Sequence, residues 1–165
     1  MDPEVVKWRL AVDQDVSFIL SLCDVRMIIE PAAAARAAKF AVPEQLVRMS
    51  DALERMAIAK SANSYTSADM EFHATILEAA GNELLLQLGS ALDAALIASR
   101  RVTLAIDNSA VDTIDIHRKI LEAISDKQPD VARESMEKLI SITSSHVMAA
   151  LSRKAVVEEQ QYSAV

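Results

Sequence analysis

Residues that break helices are so sparse in this chain that little but helix is open to it. Two glycines and four prolines are spread over 165 residues, and between them apolar side chains return every three or four positions rather than every second one. In the stretch from Val16 to Phe40, Ile19, Leu22, Cys23, Met27 and Ile28 mark one face of a long helix. Alanine, leucine and methionine are abundant and β-branched runs are short, so propensity agrees with periodicity. The expectation is an all-α fold, a single antiparallel helical bundle of about six to seven helices joined by short connections. A chain of 165 residues suits one domain with a sizeable core, and with aromatics scarce that core must be aliphatic.

The few breakers also mark the boundaries. Pro31 falls inside the first long helix, where a missing N–H and a crowded preceding turn should kink it. The run Ala32 to Ala35 beyond it permits close helix–helix approach. Pro43 fits the N1 position of a second helix reaching roughly Ala62. Ser64 to Ser67 supply caps for a third helix over about Ser67 to Ala80, ended by Gly81-Asn82. A fourth runs from Asn82 or Glu83 to about Ala105, a fifth from about Val111 to Ser125, and Pro129 starts a sixth that passes Arg153. Residues 1–13 read as a connector helix around Trp8, residues 14–155 as the main domain, and residues 156–165 as a frayed tail.

Charge excludes some partners. A net charge of −7 is unsuited to gripping nucleic acid, because phosphate binding needs a concentrated basic surface. No membrane span is expected, since no stretch of about 18 uninterrupted apolar residues occurs. The N-terminus, with Asp2, Glu4 and Lys7, does not read as a signal peptide. Cys23 is the single cysteine and lies in an apolar pattern, so it reads as buried packing. A reducing cytoplasm fits these features.

Against this apolar background a small polar set stands out. Asp69 and His73 are four residues apart and project from one helix face. Such a pair is commonly just a hydrogen bond, but it can also grip a divalent cation if His117 arrives from a neighbouring helix.

Three segments taken in order carry a resemblance. They are Asp24-Val25-Arg26-Met27-Ile28-Ile29-Glu30-Pro31 with its alanine-rich continuation, Asp69-Met70-Glu71-Phe72-His73 ending in Ala79-Ala80-Gly81-Asn82, and His117-Arg118-Lys119-Ile120-Leu121-Glu122-Ala123-Ile124 running on to Met136. Together they resemble the C-terminal effector domain, called FCD, of GntR-type bacterial transcription regulators, over about residues 15 to 150. The segment Asp2 to Leu10 resembles the connector of the galactonate-operon repressor branch. The family's winged helix would precede this segment and is not in the sequence, so the chain is expected to reach DNA only through such an attached domain.

The resemblance implies a divalent metal, zinc or nickel, held by one Asp and three His in the bundle, with a small organic or sugar acid completing the coordination. Asp69, His73 and His117 match three of those positions; the fourth falls on Leu139, which cannot coordinate. His146 lies two turns further along, about 10 Å at 1.5 Å per residue, and does not replace it. A three-ligand site is still legitimate when water or ligand oxygens fill the remaining positions.

Other candidates have plainer readings beside the functional ones. Arg26 either pairs with Glu30 one turn on or offers its guanidinium fork to an effector carboxylate. Arg101 either faces solvent near a helix end or touches the effector. Asn82 either caps the next helix or shapes the pocket. Met27, Met49, Met56 and Met70 read as core filler. The expected function is therefore effector sensing and homodimerisation within a regulator, without catalysis. The alternative is a helical metalloenzyme using Asp69, His73 and His117 to activate water. Di-metal bundle enzymes usually carry Glu-x-x-His motifs, and Glu71 is two residues from His73, on a different face.

Overall fold

The computed structural model describes residues 16–89 and 113–162, and every described element is helical. In chain order they are α1 (Val16–Phe40), α2 (Pro43–Ala57), α3 (Ala62–Ala79), α4 (residues 83–89), α5 (Ile114–Ser125) and α6 (Pro129–Tyr162). The connector over residues 1–13 and Arg101 lie outside the described residues. Among the described residues, no helix is long and apolar enough to cross a membrane.

The centre of the bundle is the second half of α1. Ala33, Ala34, Ala37 and Ala38 are all buried, and their lack of side-chain bulk lets neighbouring backbones come close. α1 packs against α6, α3 and α5, while α2 packs on α3 and α5, and α5 on α6. Phe72, Ile76, Ile120, Ile124, Met136 and Ile140 fill the space between these helices. Met49 and Met56 join this core, whereas Met27 is only partly buried against it. Cys23 is buried with a free thiol, as its apolar pattern suggests.

Helix boundaries follow local chemistry, and they differ from the sequence reading at the end of α2, the start of α3 and the end of α6. Pro43 is at the start of α2, where Gln45 and Val42 bond reciprocally: the Gln45 N–H reaches the Val42 carbonyl at 3.0 Å, and Gln45 Oε1 accepts the Val42 N–H at 3.1 Å. α2 ends at Ala57 rather than near Ala62, because Ser61 is extended and caps α3 by accepting the Ser64 N–H. Ser64 returns the bond to the Ser61 N–H at 3.2 Å. The cap is thus three residues earlier than Ser64 to Ser67 suggested, and α3 gains a turn. α6 continues as helix through Tyr162, past Glu158 where the sequence reads as a loose end.

Two helix ends use the left-handed conformation differently. Gly81, at φ 62°, follows α3, and Arg36 of α1 donates to the free carbonyls of Ala80 at 2.8 Å and Gly81 at 3.4 Å. After α5 the same task falls to Lys127, at φ 56°. Its N–H reaches the Ile124 carbonyl at 3.2 Å, and the Gln128 N–H reaches that of Ala123 at 2.8 Å. This is the paired bonding of a Schellman motif, built on a residue with a Cβ.

Left-handed backbone costs an L residue roughly 1–2 kcal/mol, so opposite outcomes are expected at the two sites. Lys127→Gly should raise stability by up to about 1 kcal/mol, and Gly81→Ala should lower it by a similar amount. A Cβ at Gly81 would meet Phe40 at an ordinary 3.7 Å, which leaves backbone strain as the main cost there. Urea unfolding midpoints check both.

Candidate metal centre

α3 brings Asp69 and His73 to its buried face because four residues complete one turn. The first turn of α5 delivers His117 opposite them. All three are buried, and one ligand atom from each lies within 4.8 Å of the others. Asp69 Oδ1 is the common neighbour, 3.2 Å from His117 Nε2 and 3.7 Å from His73 Nε2. Phe72 packs beside the two imidazoles, its ring steeply inclined to both, with centroids 5.8 Å from His73 and 5.2 Å from His117, and the imidazoles are 5.6 Å from each other.

The tautomer of His117 is fixed by its surroundings. Its Nδ1 is 2.7 Å from the Thr113 carbonyl, and a carbonyl can only accept, so Nδ1 carries a proton. Thr113 is itself tied to α3, its hydroxyl 2.8 Å from that of Tyr65. Burial pulls the His117 imidazole below its ordinary pKa, outweighing the opposing pull of Asp69, and so favours the neutral ring. In that ring Nε2 bears a lone pair, which then faces an oxygen of Asp69 that also can only accept.

Two acceptors directed at one another repel unless a cation lies between them. Metal–ligand bonds of about 2.1 Å place neighbouring ligand atoms roughly 3.0–3.4 Å apart, close to the 3.2 and 3.7 Å separations here. The residues therefore fit a divalent metal. Leu139 is buried in the apolar core beside Met136 and Ile140 and offers no ligand atom. His146 is on α6 and is not a member of the cluster.

The sequence marks Arg26 and Glu30 as a pair, but not that Glu30 backs this centre. Glu30 is buried, with Oε2 2.7 Å from His73 Nδ1, and Arg26 Nε donates to Glu30 Oε1 at 2.7 Å. Arg26 Nη2 adds a longer bond to Oε2 at 3.4 Å, while Nη1 is buried without a hydrogen-bond partner. Arg26 thus pairs with Glu30, the plainer of its two readings, and keeps one buried donor uncommitted. Burial alone would raise the Glu30 pKa, but the charge of Arg26 first, and then the close contact with His73, hold it well below the usual carboxylate range. Thr66, one turn before Asp69 on the same face, also has a buried hydroxyl without a hydrogen-bond partner. Its i−3 spacing was the available signal; nothing in the sequence places Glu30 against His73. Asn82 stands apart, exposed, with Oδ1 accepting the N–H groups of Leu84 at 3.0 Å and Leu85 at 3.3 Å, so its oxygen is committed to capping α4.

The described residues thus form an all-helical bundle whose interior holds a buried carboxylate and two imidazoles. Residues 21–141 match the FCD domain family, and the chain belongs to that family. It is 27% identical over 143 residues to the galactonate operon transcriptional repressor of Escherichia coli (strain K12), covering 86% of this chain and 62% of the repressor. Among solved structures, Streptococcus agalactiae GntR matches with a TM-score of 0.66 at 22% identity, over 81% of this chain and 62% of that one. The metal-free FCD domain of TM0439 matches with a TM-score of 0.68 at 17% identity, over 84% of this chain and 97% of that domain. The chain thus spans about 62% of the length of the repressor. The repressor is a regulator of transcription rather than an enzyme, which speaks for the regulator reading over the metalloenzyme one.

The Arg26–Glu30 pair makes a stability prediction. Removing one partner of a buried pair leaves an uncompensated charge and costs about 3–5 kcal/mol, whereas apolar replacement of both is often near neutral. Arg26→Met should therefore destabilise far more than Arg26→Met/Glu30→Leu. Because Glu30 has a depressed folded pKa, its contribution is complete above the unfolded value of about 4.3 and is lost as pH falls. Denaturant titrations from pH 7 to 3 should show a shallower acid-side loss in the double variant than in the wild type.

Proposed function

We propose that this chain senses a small carboxylate or sugar acid inside its helical bundle, through a divalent metal held by Asp69, His73 and His117. The observation that carries the reading is the convergence of three buried acceptor atoms from α3 and α5. Zinc or nickel suits two imidazoles and a carboxylate. With Leu139 in the fourth position, more of the coordination sphere is left to ligand oxygens. When bound, the metal supplies a Lewis-acidic positive charge that attracts an anionic oxygen.

The protein's own residues supply the rest. Arg26 directs its uncommitted Nη1 into buried space, where a carboxylate would be a strong, charge-assisted partner. Arg101 is a further candidate contact for the acid. The buried surroundings exclude water, which strengthens each of these interactions. Effector binding then favours one arrangement of the helices and so the pose of attached winged-helix domains, the part that would touch DNA. A cytoplasmic homodimer suits that task, because two-fold DNA sites call for paired readers.

Elemental analysis after exposure to zinc or nickel should find about one metal per chain in the wild type, and none in His117→Ala. Leu139→His should tighten binding by adding a ligand. An absence of metal from all three proteins would sink the metal centre.

A thermal-shift screen of aldonates, uronates, lactate-type acids and dicarboxylates should identify at least one stabilising acid, with neutral sugars inert. A ligand at 100 times its dissociation constant contributes about 2.7 kcal/mol, which is readily seen. Arg26→Lys, which keeps the charge but loses the fork, should weaken the response. Equal stabilisation by neutral sugars would refute the anion pocket. Light scattering should give twice the mass of the chain, and a monomer at tens of micromolar would argue against dimerisation.

A further inference from the structure

The two imidazoles of the centre are held from behind by different means. His117 is anchored by the Thr113 carbonyl on its own helix, 2.7 Å from Nδ1. His73 has a side chain in the corresponding place: Glu30 of α1, with Oε2 2.7 Å from Nδ1. That carboxylate is itself gripped by Arg26 through Nε at 2.7 Å and Nη2 at 3.4 Å. Arg26, Glu30 and His73 are all buried, so water does not compete for these contacts. The separation is that of a charge-assisted hydrogen bond. Nδ1 is buried with no hydrogen-bond partner of acceptable geometry, and the Glu30 carboxylate is the acceptor within reach of it.

We propose that Glu30 is a positioning residue of the centre: its carboxylate holds the proton of His73 on Nδ1 and thereby turns the Nε2 lone pair towards Asp69 and His117. The argument is one of complementarity. A carboxylate only accepts, so a neutral ring against it must place its N–H there. The opposite nitrogen, 3.7 Å from Asp69 Oδ1, is then unprotonated and available to a cation. Arg26 keeps Glu30 ionised and fixes its rotamer, so one guanidinium supports a histidine it does not touch. Carboxylate–histidine–metal arrangements of this kind set both ring orientation and donor strength. The assignment rests on reading the cluster as a metal centre.

The test separates tautomer from fold and from metal. Long-range proton–nitrogen correlation spectra of metal-free, histidine-labelled protein report which ring nitrogen of His73 is protonated. The wild type should show Nδ1–H. Arg26→Met/Glu30→Leu, which removes both buried charges so that the bundle can still fold, should show a mixture or Nε2–H. Arg26→Met/Glu30→Gln, whose amide oxygen can accept the same N–H, should restore Nδ1–H. Cobalt(II) titration should show affinity falling 10–100-fold in the leucine variant and recovering in large part in the glutamine variant.

A folded leucine variant that keeps the Nδ1–H tautomer, or that binds cobalt as tightly as the wild type, overturns the proposal. If the wild type takes up no metal at all, the metal-centre reading fails. The tautomer comparison, which needs no metal, then decides the role of Glu30 by itself.

Discussion

Close approach across the alanine face of α1 is the constraint on which the rest of the bundle depends. Ala33, Ala34, Ala37 and Ala38 are buried and let α3, α5 and α6 pack against the same helix. A larger residue there would push neighbours outward by the width of a side chain, since packed interiors have little slack. The same helix, one to two turns earlier, carries Arg26 and Glu30. Tight packing around α1 is therefore also what deprives these charges of water and forces them to satisfy one another.

The consequence is a line of mutually dependent polar groups inside an aliphatic core. Arg26 ionises Glu30, Glu30 backs His73, and His73 and His117 face Asp69 from two sides. On α5, Thr113 holds His117 by its carbonyl and meets Tyr65 by its hydroxyl. Such a set is costly to bury unless each member is answered. The acceptors that converge on the centre account for what a cation would add.

Much of this was legible in the sequence. Sparse helix breakers and three-to-four spacing are local signals, and they mark the all-α bundle and the starts of α2 at Pro43 and α6 at Pro129. Asp69 and His73 share a face by helix geometry alone, and the family resemblance brought in His117. The sequence misleads where signals compete: Ser61, Asn63, Ser64, Thr66 and Ser67 all suit a cap near α3, and Ser61 takes the role because its partner Ser64 completes a reciprocal bond. Glu30 was visible only as the i+4 partner of Arg26. Its meeting with His73 spans two helices whose crossing is set by packing, which no local pattern encodes. Lys127 in a left-handed cap likewise defies the usual glycine signal.

The different anchoring of the two histidines has an evolutionary consequence. His117 relies on a main-chain carbonyl four residues back, present whatever residue occupies position 113, so point mutations elsewhere leave that half of the centre little changed. His73 relies on a side chain from another helix, which a single nucleotide change can remove. Lineages descending from a chain like this one should therefore drift unevenly, keeping the α5 half through helix register and gaining or losing the α3 half by substitution on α1. An inherited scaffold of this kind can shed and recover its chemistry without refolding.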